Sequence, residues 1–276
     1  MSRAADSEVK LRVTMLGTGT STGVPAIGCD CAVCHSTDPR DRRTRPSILI
    51  ELDGGTPRSA FAAAVRNILV DTSTDLRAQA LANDIRRVDA ILFTHSHADH
   101  VLGLDEVRRY NALRGGPIAC YGDTQTLANL RQMFAYIFSR PPAAGGALPR
   151  LSLFDIAGAF TLGGVEIVPV PVMHGPWPIL GFRVGPFAYL TDCNRIPAES
   201  WPLLDGVRTL VLDALRDRSH STHFSVEQAL EVVARLGPER AYFTHICHDL
   251  PHAATCARLP TGVELAYDGL VLEING

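Results

Sequence analysis

The chain has 276 residues, 46% of them apolar and 20% charged, with a formal net charge of −3. That balance allows a well-buried core and excludes a disordered polyelectrolyte. It gives no global attraction to nucleic acid or to an anionic membrane, although bound metals can add local positive charge that residue counting misses. No stretch approaches the roughly 18 apolar residues of a membrane span, and the start, MSRAADSEVKLRVTML, lacks the apolar core of a signal peptide. A cytoplasmic location with no membrane partner is the resulting expectation. In that reducing compartment the cluster GCDCAVC reads as a metal site before it reads as disulfides, and the odd total of seven cysteines agrees.

Apolar, β-branched runs predict strands at 11–16, 47–52, 67–71, 89–94, 117–122, 160–170, 181–192, 209–214, 240–245 and 262–274, the last a hairpin pair turned at Asp268-Gly269. Helical patterns lie at 75–84, 101–113, 123–138 and 225–237. In the last, Val226, Leu230, Val233 and Ala234 form one face and Gly237-Pro238 stops the helix. Met133, Phe134, Tyr136 and Phe138 read as a partly buried helix face, with a substrate pocket as the alternative. Strands followed by helices in two halves predict a mixed α/β chain. The Pro/Gly-rich stretch 140–149 reads as an insertion or mobile loop, and there is no solenoid repeat.

The strongest chemical signal is THSHADH, residues 94–100, between a strand pattern and a helix pattern. His95 and His97 point the same way in an extended segment. Asp99 and His100 follow where the chain turns into the helix. Three imidazoles and a carboxylate so close together suit zinc, manganese or iron.

On this motif the chain resembles the metallo-β-lactamase superfamily. The resemblance covers nearly the whole chain and implies an αββα sandwich over 1–276 as a single hydrolase domain, with metals at one edge. It also implies three further ligands at strand ends, and His174, Asp192 and His245 stand in the right order. One metal would take His95, His97 and His174. The other would take Asp99, His100 and His245, with Asp192 shared. Two divalent metals, zinc or manganese, against two carboxylates leave about two positive charges, which favours an anionic substrate and a metal-bridging hydroxide as nucleophile. Asp99 is then catalytic as well as a ligand.

A closer resemblance, to the PhnP-type cyclic-phosphate phosphodiesterase branch, rests on LGTGTSTGVPAIGCDCAVC and the late THICH, residues 244–248. It implies one structural zinc on Cys29, Cys31, Cys34 and His248, in a loop at about 28–35. His35 and His252 are rival fourth ligands. Three thiolates and an imidazole would close the coordination sphere. Related phosphodiesterases place a leaving-group histidine where SHSTHFS stands, so His223 is the candidate general acid and His220 the fallback. The competing reading is a loop in which Ser225 caps the helix and His223 is solvated.

Arg42, Arg43 and Arg45 are candidates for steering phosphate, with a solvated charged loop as the plainer reading. Cys193 and Cys247 are expected to point into the core. The expected function is hydrolysis of a small anionic phosphodiester or cyclic phosphate of sugar or nucleoside type. Alternatives are a tRNA 3′-end endonuclease, which usually carries a long basic arm not seen here, a lactonase or thioesterase, and a non-catalytic metal protein. Nucleic acid is not the expected partner, and the sequence leaves a homodimer open.

Overall fold

Strand alternation sets the layers. The computed structural model describes residues 10–53, 65–138 and 148–275. One sheet is built from β1 (Lys10–Gly17), β2 (Ser47–Asp53), β3 (Asn67–Val70), β4 (Ala90–Leu92), β5 (Ile118–Gly122) and β6 (Leu151–Asp155). The other is built from β7 (Phe160–Leu162), β8 (Val165–His174), β9 (Trp177–Val184), β10 (Phe187–Leu190), β11 (Thr209–Asp213), β12 (Arg240–Thr244) and β13 (Val263–Leu265). The last strand, β14 (Val271–Asn275), returns to the first sheet beside β1. The orders are β14-β1-β2-β3-β4-β5-β6 and β13-β12-β11-β10-β9-β8-β7. Each sheet is antiparallel at one end and parallel at the other, from β3 to β6 and from β10 to β13.

Leu11, Val13, Met15, Ile48 and Ile50 alternate inward and meet Phe182, Val184, Phe187 and Tyr189 from the facing sheet. The intervening Leu16, Leu49, Leu69 and Ile91 point outward beneath helices. On this side lie α1 (Leu76–Ala82), α2 (Ala98–Val101), α3 (Arg108–Arg114), α4 (Thr124–Met133) and α5 (Ala135–Phe138). On the far side α6 (Val226–Leu236) covers the second sheet, and α7 (His252–Cys256) follows β12. The αββα sandwich expected from the sequence is the observed fold.

Several elements differ in detail. The runs 160–170 and 181–192 are each two strands, divided at Gly163-Gly164 and at Gly185-Pro186. LSLFD forms β6, an edge strand that no expectation covered. The helix expected at 101–113 opens as a 3₁₀ helix, Leu102–Val107, before α3. The one expected at 123–138 is capped by Asp123 and interrupted at Phe134, which is buried, whereas Met133 and Tyr136 are exposed. The α6 boundaries hold through a capping box of Ser225 and Gln228 and a left-handed Gly237, φ 67°. Of its expected face, Val226 is buried and Leu230 and Val233 are partly buried against the core, whereas Ala234 is exposed, and Ala229 and Val232 complete the buried face. Residues 140–147 of the expected loop lie outside the described residues. No helix among the described residues is long and apolar enough to cross a membrane.

The hairpin expected over 262–274 is overturned. β13 pairs in parallel with β12 and β14 antiparallel with β1, so the segment crosses from one sheet to the other. Asp268 is a half-buried tie, not a hairpin turn residue. One of its carboxylate oxygens accepts from Thr18 N and Oγ1 at 2.9 and 2.8 Å, the other from Thr44 N and Oγ1 at 2.7 and 2.6 Å. Asp268→Asn must turn an NH2 toward one pair of donors whichever way it flips. We expect it to lower unfolding free energy by about 1–3 kcal/mol in urea titration. An unchanged midpoint would show that the tie carries no stability.

Candidate metal centres

The C-terminal strand ends deliver the site. Phe93 to His95 continue β4, and His97 stands just before α2, which carries Asp99 and His100. β8 ends on His174, and Asp71, Asp192, Asp213 and His245 lie at or just past the ends of β3, β10, β11 and β12. Asp71, Asp192 and His245 have φ of 62°, 56° and 58°. That left-handed geometry costs a non-glycine residue about 1–2 kcal/mol, and here it turns each strand as its side chain reaches the centre.

The side chains converge closely. Asp192 Oδ2 lies 3.0 Å from His100 Nε2 and 3.2 Å from His245 Nε2. Asp99 Oδ2 lies 3.5 and 3.7 Å from the same nitrogens. Ligand atoms of Asp99, His100, Asp192 and His245 all fall within 4.8 Å of one another. Alongside, the His95 ring stands 4.5 Å from that of His97 and 5.9 Å from that of His174, with His97 and His174 5.1 Å apart. The sequence-predicted ligands are therefore gathered in one place.

The donor set fits divalent metals. His95 Nε2, Asp99 Oδ2, His100 Nε2 and His245 Nε2 are buried and have no hydrogen-bond partner. Such orphaned atoms are costly unless a cation takes them. The opposite ring nitrogens of His95, His100 and His174 are occupied, as is usual for metal-ligating histidines, whereas His245 Nδ1 has no hydrogen-bond partner and stands 3.9 Å from Asp213 Oδ2. Asp71 binds His100 Nδ1 at 2.7 Å and itself accepts from Thr94 N and Oγ1. His174 Nδ1 donates to the Asp192 carbonyl at 2.8 Å, and Thr94 Oγ1 meets His95 Nδ1 at 3.0 Å. Burial lowers the pKa of His95 and of His174, which favours the neutral, ligating ring. Burial alone would raise Asp192, yet His245 and His100 beside it hold it well below the usual carboxylate range.

His223 is buried, not solvated. Its Nδ1 donates to Asp213 at 2.8 Å, and Phe224 N donates to the other oxygen of the same carboxylate at 3.1 Å. Its ring stands 4.9 Å from His174 and 4.6 Å from His245. Ser225 does cap α6, as expected of the competing reading. His220 is less buried, and its Nδ1 faces Thr222 N and Oγ1.

A second donor cluster lies nearby. Cys29, Cys31 and Cys34 Sγ and a ring nitrogen of His248 are mutually within 4.8 Å. Cys29 and Cys34 Sγ lie 3.2 and 3.5 Å from His248 Nδ1. A tetrahedral zinc with Zn–S of about 2.3 Å holds its ligands at roughly this spacing. The Cys34 backbone N–H lowers the Cys31 pKa toward the ligating thiolate. The rivals stand elsewhere: His35 Nε2 faces Asp30 on the surface, and His252 Nε2 faces Cys256. All seven cysteines are free.

Other expectations are corrected. Arg43 neither steers phosphate nor sits in solvent. It is fully buried, donating to the Cys247 and Leu250 carbonyls and to Asp41, and so ties its loop to the segment after β12. Arg45 pairs with Asp75, and only Arg42 is exposed. Cys193 is in the core, but Cys247 is half-buried and accepts from Asp249 N. None of Met133, Phe134, Tyr136 and Phe138 lines the cavity of about 570 Å³ that opens beside His95, His97 and His174. Sequence reasoning missed Asp71 and Asp213 as supports.

With this geometry the chain belongs to the β-lactamase superfamily, whose domain family matches residues 66–246, and to the PhnP-like branch of its metal-binding hydrolases. A solved structure described as a new diphosphatase from the PhnP family is 42% identical, with a TM-score of 0.87 over 97% of this chain and 98% of that one. Zn(2+)-bound PqqB from Methylobacterium extorquens has the same fold at 20% identity and a TM-score of 0.73, over 95% of this chain and 100% of that one. A curated octanoyltransferase of Porphyromonas gingivalis (strain ATCC BAA-308 / W83) is 38% identical over 96% of this chain but 52% of its own length. This chain spans about half or less of the curated relatives it matches.

Two substitutions separate the centres. Asp71→Asn removes the carboxylate behind His100 and should weaken metal affinity there about 10–100-fold in a competitive chelator titration. Unchanged affinity would make Asp71 a fold residue only. Cys31→Ser should lower the melting temperature and release zinc, because a closed thiolate site contributes folding energy directly. A variant with wild-type stability and zinc content would refute the structural-metal assignment.

Proposed function

We propose that the chain is a phosphodiesterase for a small phosphorylated molecule, a cyclic phosphate or diester of sugar or nucleoside type. It would use two divalent metals, zinc or manganese, on His95, His97, Asp99, His100, His174, Asp192 and His245, and a zinc on the cysteine cluster. Metals held there supply an ionised water nucleophile near neutral pH and a Lewis acid for phosphoryl oxygens. The reading places the protein in a reducing compartment, where the thiols stay available to metal.

The observation that carries it is His223. With Nδ1 tied to Asp213, Nε2 is free to face the centre, and burial lowers the pKa of the ring. A group placed to give a proton suits an alkoxide leaving group. A thioester, whose thiolate leaves without a proton, does not need it. The full-length likeness to a PhnP-family diphosphatase supports cleavage at a P–O bond.

The test compares leaving groups. An alkoxide needs a proton as its bond breaks, whereas p-nitrophenolate leaves without one. His223→Ala should keep its metal content and much of its activity on bis(p-nitrophenyl) phosphate, and lose about 10²–10⁴ in rate on a 2′,3′-cyclic nucleotide or ribose cyclic phosphate. Equal losses on both would assign His223 to positioning the phosphate. A wild type that cleaves a lactone, a thioester or a tRNA precursor but none of these phosphodiesters would refute the proposal.

A further inference from the structure

Between the first turn of α4 and the start of β9 lies the cavity noted beside His95, His97 and His174. Its volume of about 570 Å³ is that of a small-molecule site. One wall is apolar: Trp177, Pro178, Ile179 and Leu180 follow one another along β9. Trp177 is 58% exposed, unusual for so large an apolar side chain, yet its position is fixed. It pairs across the hairpin with His174, whose ring lies nearly parallel to it at 6.2 Å, and His97 meets it edge-on at 6.0 Å. An indole exposed at the edge of a catalytic centre, and held by two of its histidines, is a stacking surface.

The opposite wall is polar and neutral. Gln125 and Asn129 stand one turn apart on α4. Gln125 Nε2 donates to Asn129 Oδ1 at 2.9 Å, and Asn129 Nδ2 donates to Ser96 Oγ at 2.8 Å. This chain orients the amides and, among the described residues, leaves Gln125 Oε1 and the Ser96 hydroxyl proton uncommitted. Histidines apart, no basic side chain among the described residues lines the cavity, and Asp123 adds a carboxylate at its edge. A second phosphate would meet repulsion there.

We propose that this cavity holds an uncharged, hydrogen-bonding planar ring of the substrate, stacked on Trp177 with its edge toward Gln125 and Ser96. The preferred phosphodiester is then a nucleoside-type ester and not a bare sugar phosphate. The proposal rests on the phosphodiesterase reading for its chemistry and on the cavity alone for its specificity.

The experiment has two readouts. The first is the ratio of kcat/KM for a nucleoside 2′,3′-cyclic phosphate to that for a ribose cyclic phosphate without a base, with metal content measured on each preparation. The ratio should be about tenfold or more in the wild type, as loss of base–aromatic stacking predicts, fall toward one in Trp177→Ala and largely survive in Trp177→Phe. The second is quenching of intrinsic fluorescence by adenosine, which should occur in the metal-replete wild type and disappear in Trp177→Ala. A wild-type ratio near one, or one unchanged in Trp177→Ala, overturns the proposal and leaves the phosphodiesterase reading standing. Adenosine quenching without cleavage of any phosphodiester supports the ring site and removes that reading.

Discussion

Buried carboxyl groups organise this molecule. Asp71, Asp99, Asp192 and Asp213 are all buried at the C-terminal edge of the two sheets, and their neighbours are histidines instead of arginines or lysines. Removing several carboxylates from water is costly unless positive charge joins them. The surroundings show the imbalance: burial alone would lower His100, but Asp192, Asp71 and Asp99 raise it well above its ordinary range. Cations at the ligand atoms would relieve that imbalance, and the strained backbone at Asp71, Asp192 and His245 is consistent with a site whose geometry outranks local preference.

The sandwich serves this constraint. Parallel strands β3–β4 and β10–β12 end side by side, so loops from both sheets meet at one edge. Asp268 and Arg43 then bind the N-terminal loops to the crossings between sheets. The cysteine cluster adds a further link, from the loop after β1 to His248 just beyond His245. A support at His248 therefore bears on the candidate ligand His245, three residues away.

The sequence displayed the centre unevenly. HSHADH was legible because its spacing is rare and its strand-to-helix setting is local. His174, Asp192 and His245 were legible only once that motif had supplied an order for them. Asp71 and Asp213 were not, since a single aspartate after an apolar run has no spacing to mark it. Yet NILVD, TLVLD and FAYLTD share one pattern, an apolar strand closing on aspartate, and that recurrence was the available signal. Asp268-Gly269 misled for the opposite reason: its local turn preference is real, but pairing with β12 and β1 separates the flanking strands. Trp177 carried no mark in sequence, because its exposure arises from a hairpin that brings it across from His174.

The central claim is that the carboxylate-rich centre and the thiolate cluster are separate metal sites. Elemental analysis of metal-replete protein tests it most directly. The account predicts about three metals per chain, with Asp192→Ala losing metal from the carboxylate centre while zinc on the cysteine cluster remains. A content near one, or an Asp192→Ala variant with undiminished metal, would contradict it.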